Sequence, residues 1–128
     1  MPAPKFIDDP AFRDLRENDI EQFKQHVAGR KQVDFSSADL RGVDLRNVDV
    51  CRLILKDAYL RDADLRGLDL RCLDMDGCSI HGAQISGTYF PINLSPQEIA
   101  LSVQYGTRLR TNVNGDASHC PPPEGRPR

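Results

Sequence analysis

The side chains able to do chemistry in this chain are spaced rather than clustered. Asp stands at 34, 39, 44 and 49 and again at 64, 69 and 74, while Lys or Arg stands at 41, 46, 56, 61, 66 and 71, both with a period of five. Paired carboxylates run general acid–base chemistry only inside a water-excluding cleft that shifts one of them. A solvated ladder of carboxylates provides no such cleft. His26, His81 and His119 fall in three separate segments, and no nucleophile elbow, HExxH, phosphate-binding loop or dinucleotide fingerprint accompanies them. Cys51, Cys72, Cys78 and Cys120 form no CxxC pair, so zinc spacing is absent as well. The expectation is a protein with no catalytic residue, no cofactor and no metal site.

The period itself dictates the elements that carry these charges. From Val33 to Ile92 the chain divides into twelve pentapeptides without insertion, among them ADLRG at 38–42 and again at 63–67. Their third residues are all apolar: Phe35, Leu40, Leu45, Val50, Leu55, Leu60, Leu65, Leu70, Met75, Ile80, Ile85 and Phe90. The first residues are apolar in eleven cases, Thr88 being the exception. On a helix, five residues turn the apolar position by about 140°, which spreads it around the cylinder. Extended segments suit the pattern better. First and third residues then face inward, second and fourth face outward, and the fifth, often Gly, Asn or Asp, turns a corner. Repeated bending of this kind winds a solenoid of stacked parallel strands.

Stacking every fourth pentapeptide sorts the first residues partly by size, giving Val33/Leu53/Leu73 and Ala38/Ala58/Cys78. Close packing favours such sorting, and a three-sided winding mixes the sizes. The repeats resemble the pentapeptide repeat family, whose consensus A(D/N)LXX is met almost unaltered by both ADLRG units. The resemblance covers residues 33–92. It implies an all-β solenoid, a right-handed quadrilateral parallel β-helix with twenty residues per coil and hence three coils here. At about 4.8 Å between strands, the stack is about 15 Å tall.

Both ends of such a stack need covering, and helix signals flank it. Residues 1–32 read as an N-terminal helical cap. Asp9 and Pro10 start one turn, Asn18 with Glu21 forms a capping box for another, and Gly29 is a stop. Residues 93–113 read as a C-terminal capping helix and extension, with Ser95, Pro96 and Glu98 at its start and Gly106 at its end. Ile99 and Val103 share one face of that helix, while Leu101 and Tyr105 share nearly the opposite one, the candidate homodimer interface. Dimerisation through C-terminal elements is also what the resemblance implies. Residues 114–128, with three successive prolines, read as a flexible Pro-rich tail.

Partners follow from what decorates the outside. With 17 basic and 19 acidic residues in 128, the net charge of −2 creates no field that would select nucleic acid or a membrane surface. No apolar run exceeds three residues, as at Leu53 to Leu55, which is far short of a membrane span. No basic start followed by an apolar stretch opens the chain, which gives a cytoplasmic reading with free thiols as the default. Cys51 and Cys72 fall near one corner of adjacent coils, a placement compatible with a disulfide or with two thiols. Ile54 and Tyr59 stand where Asp or Asn is expected, and with Tyr89 they form a candidate patch for an unidentified protein partner. Some family members, the quinolone-resistance group among them, bind DNA gyrase, the long acidic ones by resembling duplex DNA. That is the alternative function. Here the repeat carries ten Asp against seven basic residues, is short and has no projecting loop.

Overall fold

A computed structural model describes residues 4–111 of the chain. The first helix, α1 (Pro10–Arg16), begins where the Asp9 carboxylate accepts a hydrogen bond from the Ala11 N–H. Pro10 takes a position whose N–H would have no helical partner. The second helix, α2 (Ile20–Val27), is capped by Asp19, whose carboxylate accepts from the Gln22 N–H. This corrects the expected Asn18–Glu21 box. Asn18 adopts a left-handed φ of 60°, which ends α1 by directing its own N–H to the Leu15 carbonyl and that of Asp19 to the Asp14 carbonyl. A residue used as the stop of one helix cannot also be the extended cap of the next.

Within the repeat, β1 (Val33–Asp34) pairs in parallel with β2 (Leu53–Ile54), Val33 opposite Leu53. Single parallel bridges join Asp39 to Tyr59, Asp44 to Asp64, Tyr59 to Ser79, Asp64 to Gln84 and Asp69 to Tyr89. Every partner lies twenty residues on. The segments 33–52, 53–72 and 73–92 therefore lie one above another. Each strand is short because the fifth residue turns the chain. Asp57 and Asp62 sit at φ near 60°, and Gly77 reaches 83°. Asp tolerates this conformation through its short polar side chain, and Gly has no Cβ to clash.

The third residues behave as the spacing predicts until the last two pentapeptides, and among the first residues Leu68 is half-buried. Ten of the twelve third residues are buried, whereas Ile85 and Phe90 are only half-buried. Thr88 tolerates its inward position because its hydroxyl donates to the Leu65 carbonyl at 2.7 Å. The Cys78 thiol, fully buried, donates to the Leu55 carbonyl, and burial pushes its pKa up to about 12. Phe12, Leu15, Phe23 and Val27 of the helices join the same core as Val33 and Phe35. The rings of Phe12 and Phe35 meet edge to face at 5.8 Å.

Two features depart from the simple repeat. A short 3₁₀ turn, Val50–Arg52, replaces one corner, and the Arg52 guanidinium donates to the carbonyls of Val27 and Arg30 at 3.1 Å each. Beside it Cys51 and Cys72 form a disulfide, their Cα atoms 5.7 Å apart, so the default of four free thiols is corrected. At the other departure, Lys5 pairs beside Ala38: its N–H donates to the Ser37 carbonyl and its own carbonyl accepts from Asp39. The segment expected as a purely helical cap thus also extends the strand pairing. The third helix, α3 (Pro96–Tyr105), starts at Ser95, which accepts from the Glu98 N–H, and ends at left-handed Gly106. The expected Pro-rich tail lies outside the described residues. Among those described, no helix is long and apolar enough to cross a membrane.

Candidate interaction surface

The charged ladder is built from one repeated device. In Asp39/Arg41, Asp44/Arg46, Asp64/Arg66 and Asp69/Arg71 the carboxylate accepts a backbone N–H and both arms of the guanidinium two residues later. Two residues along an extended strand put both side chains on one face, which is why pairing runs within a pentapeptide. A pairing between coils is added where Arg46 reaches Asp64 at 3.2 Å. The fork of Arg66 holds the Asp64 carboxyl down to about 2, and that of Arg71 does the same for Asp69. Such carboxylates are ionised and occupied, and they offer no proton at neutral pH. Among the described residues no group of three His, Cys, Asp or Glu side chains is placed to hold a metal ion.

The candidate patch residues lie on separate ladders. Ile54 pairs beside Asp34, Tyr59 between Asp39 and Ser79, and Tyr89 beside Asp69. Ile54 and Tyr59 are half-buried, whereas Tyr89 is 52% exposed with the Arg71 guanidinium 5.0 Å from its ring. Tyr59 is engaged by the C-terminal extension. Its hydroxyl accepts from Arg108 at 3.0 Å, and the same guanidinium reaches Asp57 at 3.1 Å.

Exposed apolar side chains gather instead at the C-terminal end of the repeat. The helix α3 crosses that end. Ser102 Oγ accepts the Ile80 N–H, the Val103 carbonyl accepts that of Gly82, and Gly106 comes to rest beside His81. On one side of the helix, residues 107–111 close the stack: buried Leu109 donates its N–H to the Cys78 carbonyl and accepts from Gly77, both at 2.8 Å. On the other side the stack stays open. Ile85, Thr88 and Phe90 form the floor of a groove of about 590 Å³, with Ile99 and Val103 of α3 as its wall. Leu101 and Tyr105, 38% and 68% exposed, point away on the outer face of α3. The sequence reading missed Ile92, 42% exposed, and the closing role of Leu109. Pro91–Ile92 follows the last third-position residue, and its place at the end of the repeat was the available signal.

Stacked parallel pairing at a fixed offset of twenty, with an apolar inside and a charged outside, defines a repeat solenoid. The model of the family described as pentapeptide repeats matches residues 31–52 and 54–90, in eight copies. Residues 31–90 are pentapeptide repeats, the segment that implies a right-handed β-helix. No curated protein and no solved structure matches the chain.

Proposed function

We propose that this chain is a non-catalytic protein–protein interaction module whose scaffold is a three-coil quadrilateral β-helix, covered by α1 and α2 at one end and by α3 at the other. The offset of twenty at every bridge within the repeat supports the coil count. One observation carries the interaction reading. Of the five large apolar side chains exposed among the described residues, Tyr89, Ile92, Leu101 and Tyr105 all belong to the C-terminal end. Exposed apolar side chains concentrated at one end mark an interaction site. Leu101 and Tyr105, one helical turn apart, are the centre of a homodimer contact. A cytoplasmic location goes with this reading, and there the exposed Cys51–Cys72 pair would follow the local redox poise.

Gyrase binding by imitation of duplex DNA draws no support from the outer faces, because four of the ladder carboxylates are each neutralised by their own arginine. The dimer is tested by light scattering over a concentration series. Wild type is expected to run as a dimer, and Leu101→Asp or Tyr105→Asp as a folded monomer with unchanged circular dichroism. A wild-type monomer at high micromolar concentration removes the dimer.

A further inference from the structure

The open half of the coil end is more than an apolar hollow. In the lower segments the N–H groups of Leu45 and Leu65 donate to the carbonyls of Asp64 and Gln84, that of Gly67 donates to Ser86 and that of Leu70 to Tyr89. The carbonyls of Val43, Ala63 and Leu68 accept in return from Asp64, Gln84 and Tyr89. In the top segment the equivalent groups are the N–H of Ile85, Gly87 and Phe90 and the carbonyls of Ala83 and Thr88. None of these five has a backbone partner among the described residues. They run along two adjoining sides of the stack, directly beside the groove floored by Ile85, Thr88 and Phe90. Unpaired strand edges next to an apolar groove are sites of strand addition.

The chain itself shows what fits such a place. Across α3, the other half of the same end is closed by the extended residues 107–111, which bond to the edge at Gly77 and Cys78 and press one leucine into the core. We propose that the open half binds an extended segment of a partner protein, which adds as a strand along Ala83–Phe90 with apolar residues at alternate positions turned into the groove. The proposal names the partner chemistry for the interaction role above, at a place separate from the outer face of α3. The groove, about 590 Å³ between the edge and the helix wall, has the size of a ligand site rather than of a whole coil end. The chain's own residues 114–128 have the wrong chemistry, since Pro121, Pro122 and Pro123 carry no N–H and no apolar alternation surrounds them.

A synthetic peptide with the sequence of residues 63–72, carrying Cys72→Ser, is the probe. Its Ala, Leu, Leu and Leu would take the inward places above Ala83, Ile85, Thr88 and Phe90, with Gly67 of the peptide sequence over Gly87. Titration into the full chain, followed by amide NMR and hydrogen exchange, is expected to show saturable binding that slows exchange at Ile85, Gly87 and Phe90. An analogue N-methylated at the two aspartate nitrogens, which blocks the bonds to Ala83 and Thr88, should bind at least about tenfold more weakly. Equal binding of both peptides, or no binding at millimolar peptide, overturns the proposal. Amides at the edge that are protected in the free chain and become labile on dilution assign it to a second copy and also overturn it. The same titration on Leu101→Asp separates the two readings, because peptide binding should persist whether or not the wild-type chain dimerises.

Discussion

Removing the Cys51–Cys72 disulfide isolates what the cross-link contributes, because the two cysteines are exposed and fill no part of the core. Their sequence separation is 21, and closing a loop of that length in the unfolded chain costs entropy equivalent to about 3 kcal/mol. In the folded chain the bond joins segments already held side by side by the twenty-residue pairing. Their Cα distance of 5.7 Å lies inside the ordinary range for a disulfide. The stabilisation therefore acts through the unfolded state. For a chain of this size about 3 kcal/mol corresponds to a fall of about 10 °C in the melting midpoint. Cys51→Ser and Cys72→Ser should each produce that fall under oxidising conditions, and the double variant should fall no further than either. Adding reductant should lower wild type to the level of the variants and leave the variants unchanged. Thiol titration of oxidised, denatured wild type should find two fewer thiols than the four that the sequence holds. A shift under about 3 °C would refute the loop-entropy argument, and four reactive thiols would refute the bond itself.

Two corner glycines give a paired comparison. A methyl group at Gly42 meets nothing within 4 Å, so Gly42→Ala should lose only the left-handed preference, about 1–2 kcal/mol by chemical denaturation. At Gly77 the same methyl group collides with the Asp57 carboxylate, which Arg108 holds in place, so Gly77→Ala should cost more than Gly42→Ala, and equal losses would contradict the geometry. Acid should act on the ladder in a defined window. Asp64 and Asp69 have folded values of about 2, below the ordinary value of 3.8, so their contribution is complete above pH 4 and is lost as the pH falls toward 2. Carboxyl NMR titration should find both midpoints near 2, and Arg66→Gln should move that of Asp64 upward. An unmoved midpoint would remove Arg66 as the cause.

What the sequence shows clearly is whatever repeats. Twelve units report the same physical demand, so the inward residues, the corners and the twenty-residue offset can all be read from spacing alone. The ends are read less well because each is a single solution with no second example in the chain. Asn18 and Asp19 are both competent caps, and only the need for a left-handed residue after α1 decides between them. Lys5 contributes mainly backbone pairing, and a backbone group leaves no mark on residue type, while Leu109 is a single buried leucine in a segment without a repeat. The surroundings of the candidate patch are hidden for a related reason. Outward position was legible for Ile54 and Tyr59, but Arg108, which covers Tyr59, comes from a segment without a pattern.

The two ends of the repeat also differ in what their closure leaves behind. At the start, Lys5 supplies one pairing strand while α1 and α2 place four large side chains in the core beside Phe35. At the finish a single helix crosses the stack, and the chain that follows it can close only one side. A helix is about 10 Å wide, comparable with the interior it spans, so a single helix divides the end instead of covering it. Residues 107–111 then satisfy one half with backbone bonds and Leu109. The half left over keeps both kinds of unmet demand, unpaired backbone groups and half-buried apolar side chains, at Ile85 and Phe90. An extended strand meets both at once, whereas a helix laid on the same place would cover the side chains and leave the backbone edge unpaired.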